Sequence, residues 1–300
     1  KEVTFSLKTD TANATVEGLF KIEGAAQQSL GKVSVPKEWL GTPTLAGVFG
    51  TSVGSTEEQA FVFDNFEVSG TGGGTKVDTS NCRFQQGTDG REVFRGDDNC
   101  DRIHASGGDD WLYGEGSIDF LRGENGRDQI RGGSGGDQIW GGRGLNRIYG
   151  GFGNDRIWGG RQQDRVWGGP GNDQIRAGVG KDIVFGNNGN DLIKGYNQGD
   201  NLSGGPGNDK VYGQSGKDIV KGNAGNDRLR GGSNDDKLYG GTGKDRLHGG
   251  SGADLLVGGP GNDIIIARDK RRDRVVCGPG NDIVIADPVD VLIGCERRRS

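Results

Sequence analysis

Several things that build an ordinary globular enzyme are scarce in this 300-residue chain. Only 30% of its residues are hydrophobic and 7% aromatic, and it has two histidines. So small an apolar share leaves too little for a thick core. No apolar run approaches the ~20 residues of a membrane-spanning helix, so no membrane span is expected. There is no His-Glu-x-x-His pattern, and His104 and His248 stand far apart in the chain. A zinc pair or catalytic pair is therefore not expected, and the chain is not read as an enzyme. It opens at Lys1 with neither Met nor an apolar leader. The expectation is a processed or excised segment whose targeting signal lies outside it.

Glycine is what the chain has in excess: 62 residues, about three times the usual ~7% share. It follows no Gly-X-Y period, which excludes collagen. Instead a nine-residue phrase repeats nineteen times without insertion from Gly96 to Ile266. GGPGNDQIR (Gly168 to Arg176) is its clearest form, followed by AGVGKDIVF, GNNGNDLIK and GYNQGDNLS. The sixth place reads Asp101, Asp110, Asp119, Asp128, Asp137, Asn146, Asp155, Asp164, Asp173, Asp182, Asp191, Asp200, Asp209, Asp218, Asp227, Asp236, Asp245, Asp254 and Asp263. The eighth place is always aliphatic, from Ile103 and Leu112 to Leu256 and Ile265.

Each part of the phrase has a physical reading. GGxGx makes a tight turn, with glycine where the backbone takes positive φ or passes close to an ion. DxUx continues as a short strand whose eighth side chain points inward and whose seventh and ninth point outward. A repeat of this length suits a solenoid, which needs only a thin core between neighbouring rungs. Each covered aliphatic contributes roughly 1.5–3 kcal/mol. The aspartates oppose that gain. Carboxylates ~5 Å apart repel by roughly 3 kcal/mol at an effective dielectric of about 20. Calcium offsets the repulsion best, because it accepts six or more oxygens and takes backbone carbonyls as readily as carboxylates.

The phrase closely resembles the RTX (hemolysin-type calcium-binding) nonapeptide, G-G-x-G-x-D-x-U-x with U aliphatic. The resemblance implies an all-β fold, a right-handed parallel β-roll whose rungs share several calcium ions. It implies that the sixth-place aspartates and turn carbonyls, here those of Gly150, Gly168, Gly186, Gly204, Gly222, Gly240 and Gly258, hold those ions. Metal binding would then be coupled to folding. Asn146 brings no charge, so a weaker site is expected there.

The repeats alternate between two edges, so each stacks on the next but one. Gln162, Gln198 and Asn234 replace the fourth-place glycine on one edge, while most Asn-Asp turns lie on the other. The two edges are expected to differ in affinity. Cys82 and Cys100 are eighteen residues apart, as are Cys277 and Cys295. Eighteen residues make one full turn of a two-repeat coil, which puts each pair on adjacent rungs ~4.8 Å apart. That is within disulfide reach, so a Cys82–Cys100 and a Cys277–Cys295 staple are expected, and with them an oxidising, extracytoplasmic location. After Ile266 the register slips by one through ARDKRRDRVV and recovers in CGPGNDIVI with Asp282 in the sixth place.

The domain reading is therefore a small antiparallel β-module over 1–70, a Gly-rich linker over 71–77 and a cap with a degenerate repeat over 78–95. Nineteen repeats follow over 96–266, and irregular repeats with a disulfide cap over 267–300. In the degenerate repeat Glu92 takes the Asp place and Phe94 the aliphatic place, as an end plug. Residues 39–68 resemble the closing strands of a concanavalin-like jelly roll, a resemblance confined to about thirty residues.

Arg and Lys crowd places seven and nine, as in Arg156, Arg165, Lys194, Arg228 and Arg230. This is read as solubilising charge on exposed faces, and no nucleic-acid partner is expected. Trp140, Tyr149, Trp158 and Trp167 hold four consecutive ninth places. Such aromatic ladders can bind sugars or protein surfaces, or they can support strand pairing.

The expected function is an extracellular calcium-binding β-roll acting as a structural or adhesive stalk, with an extracellular polysaccharide or cell-surface protein as a further partner. The four cysteines and the basic Glu296–Ser300 tail depart from RTX chains exported through a type I route, so bacterial Sec-type export is expected. Two alternatives stand beside it: a lectin-like module on a calcium stalk, and the calcium-dependent C-terminal tail of a secreted enzyme.

Overall fold

The computed structural model describes the backbone of residues 3–10, 15–22, 28–34 and 82–299, with side chains over 82–296. Contacts divide the chain into two units, Lys1–Lys76 and Val77–Ser300. In the first unit, strands Val3–Asp10, Thr15–Ile22 and Gln28–Ser34 form an antiparallel sheet in sequence order. The jelly-roll resemblance at 39–68 falls outside the described residues.

The second unit is a β-solenoid of about 12 turns, built of parallel strands with no helix among the described residues. Its strands fall alternately into two sheets of thirteen and twelve strands. Each nonapeptide supplies one side of a turn. Arg156–Arg161 pairs with Gln174–Val179, bringing Ile157 beside Ile175 and Trp158 beside Arg176, always eighteen residues on. Next-but-one stacking is thus the observed register.

Strand alternation sorts the side chains. From Ile103 to Ile265 the eighth-place aliphatics are at most 2% exposed and form one continuous core, with Phe94 packed at its N-terminal end. The sixth-place residues are buried beside them. The walls therefore enclose two aliphatic ladders and two carboxylate ladders, with the seventh and ninth places outside.

Backbone conformation explains the glycines. At Gly169 φ is +117°, and an added Cβ would run into the carbonyl oxygen of Gly151 one rung back. Where Gln162, Gln198 and Asn234 replace the fourth-place glycine, the chain keeps the left-handed turn at φ 75°, 74° and 77°. The turn shape outranks the local preference of these residues.

Past Ile266 the extra residue appears as pairing nineteen apart, Ile265 beside Val284 and Leu256 beside Val275. Both disulfides form, with Cα–Cα separations of 4.5 Å for Cys82–Cys100 and 5.2 Å for Cys277–Cys295. Each ties the outermost rungs together.

Candidate metal centre

The turn sends the backbone inward at the sixth place, and the Asp side chain then runs along the solenoid axis. Its Oδ1 accepts the backbone N–H of the sixth-place residue one turn earlier. Asp155 N donates to Asp173 Oδ1 at 2.8 Å, Asp173 N to Asp191 Oδ1 at 2.8 Å, and Asp191 N to Asp209 Oδ1 at 2.8 Å. One ladder runs from Asp101 through Asp263 to Asp282, whose N–H meets Glu296 Oε2 at 3.2 Å. The other starts at the Glu92 N–H, passes Asp110, Asp128 and Asn146, and reaches Asp254, Asp273 and Asp290.

The second oxygen has no such partner. Oδ2 of nineteen aspartates, from Asp110 to Asp282, is buried without a hydrogen bond. Native proteins leave only a few buried polar atoms unsatisfied per hundred residues, and each calls for an explanation. Around Gly168, the space a Cβ would fill is bounded by Asp173 Oδ2 and the Gly186 carbonyl; around Gly150, by Asp155 Oδ2 and the Gly168 carbonyl. The carbonyls of Gly204, Gly240 and Gly258 take the same place against Gly186, Gly222 and Gly240. Unpartnered carboxylate and turn carbonyl therefore converge at most first-place glycines, where an added Cβ would crowd them, although Ala105 and Ala177 also occupy this place.

Burial sets the electrostatics. It pushes Asp137, Asp164, Asp173, Asp200 and Asp236 up to about 8, against the opposing pull of the bonded amide. Asp119, Asp128 and Asp273 rise to about 7, and Asp155, Asp182, Asp191, Asp209, Asp218, Asp227, Asp245, Asp254 and Asp263 to about 6, for the same first reason. Asp110 also rises through burial. Neutral carboxylates or a bound cation are the two ways to satisfy such an interior.

The donor set discriminates among cations. Among the described residues no three His, Cys, Asp or Glu side chains gather at one point. A zinc-type side-chain cluster is therefore not offered. The ladders offer one carboxylate oxygen and backbone carbonyls at each rung, which is the chemistry of calcium, hard and tolerant of carbonyl ligands. The residues present fit that ion.

The family comparison decides the matter. The family model described as RTX calcium-binding nonapeptide repeat (4 copies) matches in overlapping segments from residue 86 to residue 265. The chain belongs to the RTX calcium-binding repeat family. A search of the curated proteins finds no match to it. The RTX roll is a calcium-binding structural β-roll.

Two positions within the ladders depart from the pattern. Asp101 has both oxygens engaged, Oδ1 by Arg83 Nε at 2.8 Å and Oδ2 by the Asp97 N–H at 2.9 Å. An arginine neutralises the first rung. Asn146 keeps the Oδ1 bond from the Asp128 N–H at 3.0 Å but turns a buried, unpaired Nδ2 to where its neighbours hold Oδ2. Reading the sequence in strict register missed Asp273, which is 1% exposed and fully in the ladder. Its Asp-x-aliphatic signature, Asp273-Arg-Val275, is legible once one inserted residue is allowed.

The ninth-place aromatics stack as two ladders. Trp140 lies on Trp158 at 4.8 Å and 2°, and Tyr149 on Trp167 at 4.5 Å and 4°, with Phe185 beyond at 5.9 Å. Guanidinium groups close the stacks, Arg122 over Trp140 at 4.8 Å, Arg176 over Trp158 at 5.7 Å and Arg131 over Tyr149 at 5.5 Å. The ring faces are thus used within the sheet, and it is the edges that face outward.

Proposed function

We propose that the RTX roll is an extracellular stalk that folds when calcium loads its two carboxylate ladders. The observation carrying this reading is the run of nineteen buried, unpartnered Asp Oδ2 atoms. At neutral pH those groups oppose the stacking that buries the aliphatic core. A divalent ion supplies the missing charge, and the sixth-place aspartates with the first-place glycine carbonyls hold it. The two end disulfides support an oxidising, extracytoplasmic setting, where external calcium is plentiful. Bacterial Sec-type export fits the same two disulfides, and a signal peptide at the start of the precursor gene is its test. The role we propose is structural or adhesive rather than catalytic: a stiff spacer presenting whatever adjoins it.

Small-angle scattering of the full chain tests the folding claim. In EDTA the radius of gyration is expected near that of an unfolded 300-residue chain, ~60 Å, and with ~1 mM calcium well under half of that. An unchanged radius would remove calcium from the folding reaction.

A further inference from the structure

We infer that the groove beside Asn146 is a binding site for oxyanions, which docks extended carboxylated or sulfated ligands along the roll. Asn146 is the one neutral rung of the nineteen, and the same rung forms the floor of a groove of about 490 Å³. Four arginines line it, Arg91, Arg127, Arg147 and Arg165, against a single carboxylate, Asp109. None of the four arginines forms an ion pair among the described residues. They occupy a fifth or seventh place on four of five stacked rungs, the remaining rung carrying Asp109 and Trp111, so the cationic row follows the solenoid axis over ~19 Å at the parallel-strand spacing.

The coincidence of the neutral rung with the arginine row is the core of the inference. Elsewhere on this edge the turns carry a buried Asp and the fifth and seventh places read Lys181 and Ile183, Gly199 and Asn201, Lys217 and Ile219. Lys217 is spent on Asp235 at 2.8 Å. Only around Asn146 is the carboxylate missing while guanidinium groups accumulate. An extended polyanion in the groove therefore meets guanidinium donors along its length, with no buried carboxylate beneath it at the Asn146 rung. Gln129 and Gln163 add amide groups to the lining, which suit hydroxyls flanking a carboxylate or sulfate. The one aromatic ring in the groove, Trp111, carries the Arg91 guanidinium at 4.1 Å, so donors and not an open ring dominate this surface.

The test is isothermal titration of the calcium-loaded full chain at fixed ionic strength, after circular dichroism has shown each protein to be folded. Inorganic sulfate and a sulfated hexasaccharide are the probes, with the desulfated hexasaccharide as control. Saturable binding of sulfate is expected, with the sulfated hexasaccharide at least tenfold tighter because it reaches several arginines. Arg127→Gln with Arg165→Gln is expected to weaken both probes by about tenfold or more. Asn146→Asp restores the ladder residue, preserves the fold and is expected to weaken anion binding measurably but less than the arginine pair, because bound calcium offsets part of its charge. Equal affinity for both probes would assign the site to a small free anion and overturn the extended ligand. Binding that the arginine and Asn146 variants leave unchanged, or no saturable binding to a folded protein, would overturn the site itself. A protein whose β signal ignores calcium would instead refute the folding claim, and the titration would still be read.

Discussion

A buried carboxylate that spends one oxygen on a backbone N–H and leaves the other bare is stable only as an acid or as a ligand. That choice sets the behaviour of single residues in the roll. Asp173→Asn reproduces the natural state of Asn146: the Asp155 N–H keeps its acceptor, and Oδ2 becomes a donor. The expected result is a split in sign. In calcium the melting temperature falls by several degrees, because a ligand is lost. Each 1 kcal/mol corresponds to roughly 2–4 °C in a domain of this size. In EDTA, where the unsubstituted roll is expected to be unfolded, the residual β signal holds or rises, because a repulsion is lost. A lower melting temperature in calcium together with a lower β signal in EDTA would reduce the carboxylate to a plain hydrogen-bond acceptor. Gly169→Ala tests the turn. With φ at +117° and the Gly151 carbonyl where Cβ must go, a loss of about 2 kcal/mol or more is expected in denaturant unfolding with calcium present. A loss under 0.5 kcal/mol would contradict the close approach. The sequence shows the glycine but not the reason for it at each place. Places two and four mostly take positive φ, whereas place one is mostly crowded by a carboxylate and a carbonyl.

At the scale of the rung, burial raises the pKa values of the ladder aspartates above the ordinary carboxylate value of 3.8, for example to about 8 at Asp137 and about 6 at Asp155. The folded, ion-free roll therefore binds protons more tightly than the unfolded chain does. Its stabilisation by those protons is complete below about 3.8 and is lost as the pH rises through about 6 to 8. In EDTA, β signal is expected to increase as the pH falls from 8 toward 5, and calcium binding at pH 6 is expected to release protons, seen as a buffer-dependent heat. An EDTA signal that weakens on acidification would reverse the sign and refute the linkage. End rungs carry a different device. Cys277→Ser with Cys295→Ser is expected to cost about 3 kcal/mol and to speed hydrogen exchange in Arg274–Val276 but not in Arg165–Pro170, since solenoid rungs contact only their neighbours. Uniform loss of protection would show that the roll unfolds as one unit. The staples were legible because eighteen residues make one turn. Asp273 was not, because the inserted residue between Ile266 and Asp273 shifts it out of strict nine-residue register.

At the scale of the whole molecule, most of the fold is written in one period. The eighteen-residue stacking, the inward aliphatics and the outward aromatics all follow from a nine-residue phrase with strand alternation. The direction of the Asp side chain was not legible, because its Oδ1 partner lies one turn earlier and exists only once parallel rungs are stacked. For the same reason the sequence could not show that Arg83 closes the ladder at Asp101, or that Trp140 and Trp158 cover each other's faces. What remains is whether the ladders need their ion. Far-UV circular dichroism of the oxidised chain at pH 7.5, titrated with calcium from EDTA and with magnesium as control, asks this directly. Cooperative gain of β signal with calcium and not with magnesium is the expected result. A β signal fully formed in EDTA and indifferent to calcium would mean that the aliphatic core and the two disulfides suffice, and the calcium-coupled roll would be wrong.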